Sequence, residues 1–293
     1  MNLGDALEGG GIVVLDKPLG PTSHQVSAWA RDMLGLDKLG HGGTLDPEAS
    51  GVLLLMIGPA MRLTSLVLKH PKTYVAAFRF IGGVPEDAVD HLSSFVGETY
   101  NVPPEISAVK VQVRSRRIES IEVNSSVEDV LLATIACEAG TYIRTIARDL
   151  GLLTGTTCNL VELRRTRSGR FSENEAITLE DLKDVLKASA DGQHQGLNRV
   201  VHSIASVLGH LPSAIIRESA AERVAHGSPL MRPGVVAIED ASLEADTVLL
   251  RTQDGTPIAL AEWCIPPAKW VEMSNGEVFQ PRTVLVQARP LSR

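Results

Sequence analysis

The stretch Lys38-Leu39-Gly40-His41-Gly42-Gly43-Thr44-Leu45-Asp46-Pro47-Glu48-Ala49-Ser50-Gly51, followed at once by the apolar run 52–57, decides how the rest of the chain is read. Gly40, Gly42, Gly43 and Gly51 crowd around Asp46. Glycine adopts backbone conformations closed to other residues and lets a second group approach the main chain. Pro47 biases Asp46 towards an extended conformation, away from helix. The run 52–57 reads as a buried strand, so the loop is anchored to the core. That arrangement suits a fixed carboxylate presented to a substrate. Taken alone, it also reads as an Asp-Pro turn with incidental glycines.

Working outward, Gly11-Ile12-Val13-Val14-Leu15-Asp16-Lys17-Pro18 has a buried-strand pattern ended by a proline. Thr22 or Ser23 can cap a helix running to about Leu34 and closed by Gly35. Residues 74–81 alternate, with Tyr74, Ala76, Phe78 and Phe80 on one face. A helix is expected near 87–96, and Pro103-Pro104 then breaks the chain. Val109, Val111 and Val113 alternate with Lys110, Gln112 and Arg114, which predicts a half-buried strand over 108–114 with a basic outer face. Residues 130–137 read as a strand. Gly140-Thr141-Tyr142-Ile143-Arg144 opens a helix with the apolar stripe Ile143, Ile146, Ala147 and Leu150, ended by Gly151. A strand over 159–165 and a helix over 178–188, capped by Thr178 with Asp181, follow. From about Leu211 the texture changes. A helix over 218–225 ends at His226-Gly227, and short strand-like pieces recur at 234–238, 247–251, 257–261 and 284–288. Asp254-Gly255 marks a hairpin turn. The spacing reads as a small β-barrel appended to a larger α/β domain.

The 293 residues suffice for one large domain and a smaller one. No apolar run reaches membrane-spanning length, and the N-terminus lacks the pattern of a secretion signal. Cys137, Cys158 and Cys264 are odd in number and far apart, which argues against a disulfide framework or a zinc site. A reducing cytoplasm is the expected setting. The net charge of −7 speaks at first against a nucleic-acid partner. Phosphates respond to local patches, however. Lys110-Val111-Gln112-Val113-Arg114-Ser115-Arg116-Arg117 and Arg164-Arg165-Thr166-Arg167-Ser168-Gly169-Arg170 each carry cations and no acid. Two such stretches in an acidic protein call for an explanation.

Several separated segments resemble one family. Asp16-Lys17-Pro18, with Gly20-Pro21-Thr22-Ser23-His24 after it, and Gly40-His41-Gly42-Gly43-Thr44-Leu45-Asp46-Pro47 are similar to the first two motifs of TruB-type pseudouridine synthases. Lys72-Thr73-Tyr74, Gly140-Thr141-Tyr142-Ile143-Arg144 and Leu163-Arg164-Arg165-Thr166-Arg167-Ser168-Gly169 resemble the later ones, in order. Val84-Pro85-Glu86-Asp87 and Pro103-Pro104, followed by Ser107-Ala108-Val109-Lys110, resemble the archaeal and eukaryotic, dyskerin-like branch, the catalytic subunit of box H/ACA ribonucleoproteins. His226-Gly227-Ser228-Pro229-Leu230-Met231-Arg232-Pro233-Gly234 is similar to the core of a PUA domain. Three departures from the family pattern are the short stretch before Gly11, the less basic residues following Ile106 and the acidic balance.

The resemblance implies an α+β chain: a catalytic domain over 1–208, with a mixed, largely antiparallel sheet and flanking helices, and a C-terminal PUA β-barrel over 209–293. It implies isomerisation of uridine to pseudouridine in rRNA or tRNA, with no cofactor and no metal. Asp46 would be the acting group, as nucleophile or as base in a glycal route, with Arg144 as its counter-ion and Tyr74 stacked on the flipped base. Lys17, His41 and Leu163 would shape the substrate pocket. Lys110, Arg114, Arg164, Arg165, Gly227, Arg232 and Gly234 would contact RNA. The implied partners are a guide RNA, a substrate RNA and small accessory proteins of the H/ACA particle. A stand-alone tRNA enzyme, a non-catalytic RNA-binding scaffold and a glycoside-type hydrolase pairing Asp46 with Glu48 are the competing readings.

Overall fold

The computed structural model describes residues 3–101 and 113–286. Among these, ten strands build one sheet: β1 (Gly11–Lys17), β2 (Gly40–His41), β3 (Ala49–Ile57), β4 (Lys72–Phe80), β5 (Gly97–Asn101), β6 (Arg114–Val127), β7 (Val130–Cys137), β8 (Cys158–Ser168), β9 (Phe171–Ser172) and β10 (Val201–Ser203). The order is β10-β1-β3-β8-β4-β7-β6-β5, with β2 on β3 and β9 on β8. Every pairing is antiparallel except β3 with β8, which run parallel over Ala49–Gly51 and Leu163–Arg165. This is the mixed, largely antiparallel sheet that the resemblance implies.

The run 52–57 is buried on both faces, as its unbroken aliphatic content requires. Val52, Leu54 and Met56 join Ile12 and Val14 on one side. Leu53, Leu55 and Ile57 join Val13, Leu15, Val26 and Ala30 on the other. This period of two is what a strand dictates. The second half of the sheet has a core of its own, in which Phe78, Phe80, Leu131 and Ile135 pack against Ile143, Ile146 and Leu150 of the helix Ile143–Leu153. The two halves meet along β3 and β8. There Gly51, at φ +100°, is obligatory: a Cβ would stand 2.2 Å from the Arg165 carbonyl oxygen.

Six further strands form the second sheet: β11 (Ser213–Ile216), β12 (Leu230–Met231), β13 (Val235–Ile238), β14 (Val248–Thr252), β15 (Pro257–Trp263) and β16 (Glu277–Val284), in the order β12-β16-β15-β14-β11-β13. Its two edge strands, β12 and β13, are joined by only Arg232–Gly234, so the sheet curls to bring the end of one edge close to the start of the other. Leu249, Leu260 and Leu285 share a core cluster with Ile12, Val14 and Leu54. Arg62 donates to the Val284 and Val286 carbonyls at 2.9 and 3.1 Å. The barrel therefore packs directly on the large sheet.

Two expected helix caps are present, and several other sequence expectations shift. The helix Ser23–Met33 starts at a capping box of Thr22 with Gln25, and the helix Leu179–Ala190 at one of Thr178 with Asp181. The expected helix near 87–96 is the shorter Ala88–Ser93. Gly151 does not end the helix of Arg144, which runs on to Leu153. A Cβ there would stand 2.9 Å from Thr156 O and Cys158 N, so the glycine serves close packing. The expected strand over 108–114 lies almost wholly outside the described residues, and Val113 is exposed. The long strand β6 was hidden because register shifts between Ile118 and Ser120, and between Val123 and Ser125, break its alternation. The last strand ends at Val284 instead of starting there. Pro281 within it pairs with Ala261 at a register shift, the tolerated place for a proline inside a sheet.

Candidate active site

The loop ahead of β3 is fixed at nearly every residue. Ser23 Oγ accepts from Leu45 N at 2.8 Å and donates to Leu45 O at 2.9 Å. Gly42 N donates to Leu54 O at 2.8 Å, Gly20 N to Pro47 O at 2.9 Å, and Ala49 N to Asp46 O at 3.0 Å. Arg165, only 1% exposed, donates through Nε to Val52 O at 2.7 Å and through Nη2 to Gly43 O at 3.0 Å. Lys17, fully buried, donates to Pro18 O at 2.7 Å and Ala49 O at 2.8 Å. The glycine-rich segment is thus a rigid cradle.

Asp46 rises from this cradle into a cleft of about 1020 Å³. That is at the upper end of the roughly 300–1,000 Å³ usual for small-ligand sites. Its Oδ2 lies 2.9 Å from Arg144 Nη2, and the two side chains stay 42% and 33% exposed. Arg144 stands in the first turn of the helix Ile143–Leu153, whose apolar stripe fixes the direction of the arginine. Tyr74 and Lys72, two residues apart on β4, share one face of that strand and line the cleft with Leu163 of β8. Arg114, Arg116 and Glu138 form its rim.

Burial pushes the Tyr74 phenol above its usual pKa, and the neighbouring Arg165 opposes the rise. The phenol is therefore neutral at physiological pH. Lys72 is 5% exposed and donates to Val67 O at 3.2 Å, Leu68 O at 3.3 Å and His70 O at 2.6 Å. Burial, helped by Arg165, brings its pKa down to about 8. Burial likewise lowers that of Lys17, with Asp46 pulling the other way.

The structure gathers Asp46, Arg144, Tyr74, Leu163 and Arg114 at one cleft. It separates others. His41 does not line this cleft; its half-buried ring meets His24 edge-on at 4.9 Å, and burial lowers its pKa. Lys17 lies beneath the cradle. Arg165, expected at an RNA surface, is buried in the wall of the cleft behind Tyr74. Arg164 is engaged by Asp16 through two bonds, at 3.0 and 2.9 Å, and by Glu173 at 2.7 Å. In the barrel, the Arg232 guanidinium stacks 4.8 Å from the Trp270 ring and donates to its carbonyl. Gly227 is exposed, whereas Gly234 is buried where a Cβ would meet Ala220 Cβ at 2.7 Å. Lys110 lies outside the described residues. Glu48 is exposed; with Glu162 it lines a smaller recess of about 250 Å³ that shares Asp46 and Arg144 with the cleft. Among the described residues, no group of three or more His, Cys, Asp or Glu side chains is set to hold a metal ion, and no helix is long and apolar enough to cross a membrane.

Sequence reasoning passed over Lys72, Asn101, Arg116 and Glu138 as cleft residues. For Lys72 the signal was available, since it stands two residues before Tyr74 on an alternating strand. For Asn101 there was none, because its partner is 41 residues away.

Three family models match the chain. They are the TruB family pseudouridylate synthase N-terminal domain over residues 31–86, the tRNA pseudouridylate synthase B C-terminal domain over 144–209, and the PUA domain over 212–279. A protein of Haloarcula marismortui named "Probable tRNA pseudouridine synthase B" is 40% identical over 262 residues, covering 87% of this chain and 83% of that protein. A protein of the same name from Methanothermobacter thermautotrophicus is 40% identical over 282 residues, covering 94% and 86%. Among solved structures, a Cbf5-Nop10-Gar1 complex matches with a TM-score of 0.86 at 35% identity, over 98% of this chain and 88% of that one. An H/ACA RNP bound to a substrate RNA containing 2'-deoxyuridine matches with a TM-score of 0.82 at 34% identity, over 96% and 86%.

Proposed function

The chain belongs to the TruB family of pseudouridylate synthases, isomerases acting on RNA, and on that footing we propose that it is the catalytic subunit of a guide-directed H/ACA-type particle in which Asp46 is the acting group. The ion pair of Asp46 with Arg144 at the mouth of the cleft carries the chemical part of this reading. The match to Cbf5 structures over nearly the whole chain supports the particle.

The reaction breaks the bond between N1 of uracil and C1′, turns the base, and joins C5 to C1′. N1 ends protonated and the C5 proton leaves, so no electrons are gained or lost. The target nucleotide must swing out of its helix or loop to reach the cleft. Tyr74 then offers a neutral ring on which uracil stacks, worth about 1–3 kcal/mol per base. Asp46 acts at the sugar, as nucleophile or as base in a glycal route. Arg144 orients it through the ion pair at 2.9 Å. Leu163 closes the apolar wall. Arg114 and Arg116 face the phosphates at the rim, and the barrel binds the guide. Small accessory proteins complete the particle.

A second reading, a stand-alone tRNA enzyme, is favoured by the names of the archaeal relatives. One assay separates the two. The purified protein is given unmodified tRNA, or a target RNA together with an H/ACA guide and accessory proteins, and release of tritium from C5 of uridine is counted. Release only from the assembled particle is expected, and full conversion of tRNA by the protein alone would refute obligate guiding. D46N should abolish release while retaining RNA binding; turnover in that variant would remove Asp46 from the chemistry.

A further inference from the structure

The helix that carries Arg144 is held at its start by a residue from another element. Its N-cap, Tyr142, provides no side-chain hydrogen bond to the first turn. Helix starts leave backbone N–H groups without intrahelical partners, and these are normally met by a Ser, Thr, Asp or Asn at the cap itself. Here a residue far away in the chain grips the backbone of the cap residue itself. Asn101, the last residue of β5, is only 2% exposed. Its Oδ1 accepts from Tyr142 N at 2.9 Å, and its Nδ2 donates to Tyr142 O at 3.2 Å. The polarity of the Tyr142 residue fixes which way the amide points, since its N–H requires the oxygen and its carbonyl the nitrogen. Tyr142 O also receives Thr145 N at 3.1 Å, so the side chain of Asn101 closes the first turn from outside.

We propose that Asn101 is a positioning residue for catalysis: by gripping both backbone groups of Tyr142, it sets the rotation and height of the helix start and thereby the placement of Arg144 against Asp46. The inference rests on the Asp46–Arg144 pair as the catalytic pair. Arg144 is two residues past Tyr142, within the same turn, and its guanidinium reaches Asp46 at 2.9 Å. Asp46 thus holds the first turn of the helix through a side chain, and Asn101 holds it through the backbone. The sheet supplies the leverage. β5 pairs with β6, with Asn101 opposite Arg114, so the grip ties the Arg114 rim of the cleft to its catalytic end. Asn suits this task better than Asp, because a carboxylate would meet the Tyr142 carbonyl with no donor.

The test uses the particle reassembled with guide RNA, accessory proteins and a target RNA tritiated at C5. Displacing a catalytic group by about 1 Å costs on the order of 10²-fold in rate. N101A should therefore lower kcat by on the order of 10²-fold while leaving KM for target RNA within about threefold, because the groups proposed to contact RNA are untouched. R144K keeps the charge but loses the fork that meets Asp46. If Asn101 acts through Arg144, the further loss caused by N101A in the R144K background should shrink to about twofold or less. Should N101A lose its cooperative melt, N101D, which keeps the shape and the acceptor, carries the same comparison. Unchanged kcat, or an equal loss in both backgrounds, would overturn the assignment while leaving the ion pair standing. Turnover by D46N would instead overturn the pair.

Discussion

Replacing Arg165 by methionine separates two roles that the sequence alone assigns to one basic run. If Arg165 braces the loop of Asp46, as its burial implies, then R165M strands two carbonyls, Val52 O and Gly43 O, at 2.7 and 3.0 Å from atoms no longer present. An unsatisfied buried acceptor costs about 1–3 kcal/mol. Two give roughly 2–6 kcal/mol, with about 3 kcal/mol as the working figure, because the thioether is easier to desolvate than a guanidinium. For a chain of this size that corresponds to a fall in Tm of roughly 5–10 °C. Turnover should fall with it, since Gly43 stands three residues before Asp46. The assay is a thermal melt run beside a filter-binding titration at fixed salt. RNA affinity should change by less than about threefold, because the guanidinium lies buried in the cleft wall and not on the outer surface that meets phosphates. An unchanged Tm together with a large, salt-dependent loss of RNA affinity would refute the reasoning and return Arg165 to the RNA surface.

Arg114 gives the opposite profile: R114A should leave Tm unchanged, weaken RNA binding irrespective of sequence, and reduce the slope of log K against log salt by about 1. Lys72 predicts a pH effect on stability. With a pKa of about 8 in the fold and the ordinary lysine value of 10.5 in the unfolded chain, the unfolded chain holds more protons between those limits, so stability gains about 3 kcal/mol as pH rises from 8 to 10.5. Denaturant titrations should show that gain in the wild type and not in K72M. His41, His70 and His202 are each held below the ordinary pKa by burial, so the unfolded chain binds more protons below about pH 6.5 and stability should fall on acidification. The fall should be smaller in H202F, which keeps a ring edge-on to Phe171.

The parts of the fold that could be read from sequence are those where one local rule acts alone. The run 52–57 needs no partner to declare itself buried, and Thr178 with Asp181 announces a helix start within four residues. Strand β6 escaped because two register shifts destroy the period of two that would have exposed it. Asp46, Arg144, Tyr74 and Leu163 came into view through motif order, and the cleft brings them together. The division of the arginines was beyond reach. Arg164 and Arg165 are adjacent in a strand, yet one meets Asp16 and Glu173 and the other turns inward to two carbonyls. Which face of β8 is covered depends on its parallel neighbour β3, more than a hundred residues earlier, and sequence spacing carries no trace of it.

The same geometry resolves the conflict between a net charge of −7 and an RNA substrate. Lys17, Lys72 and Arg165 are all buried beneath or beside the loop of Asp46, and their observed bonds go to backbone carbonyls. Carbonyl dipoles satisfy the N–H groups without cancelling the charge. Arg164, by contrast, is neutralised by Asp16 and Glu173. Three buried cations with Arg144 above them outweigh Asp46, so the cleft is locally positive although the molecule is acidic. Within low-dielectric walls such a field is screened far less than that of the exposed acids, whose influence fades over about 8–10 Å in physiological salt. It attracts the phosphates on either side of a uridine entering the cleft. A basic total charge is therefore not required of this protein, only cations whose charge is left uncompensated next to Asp46.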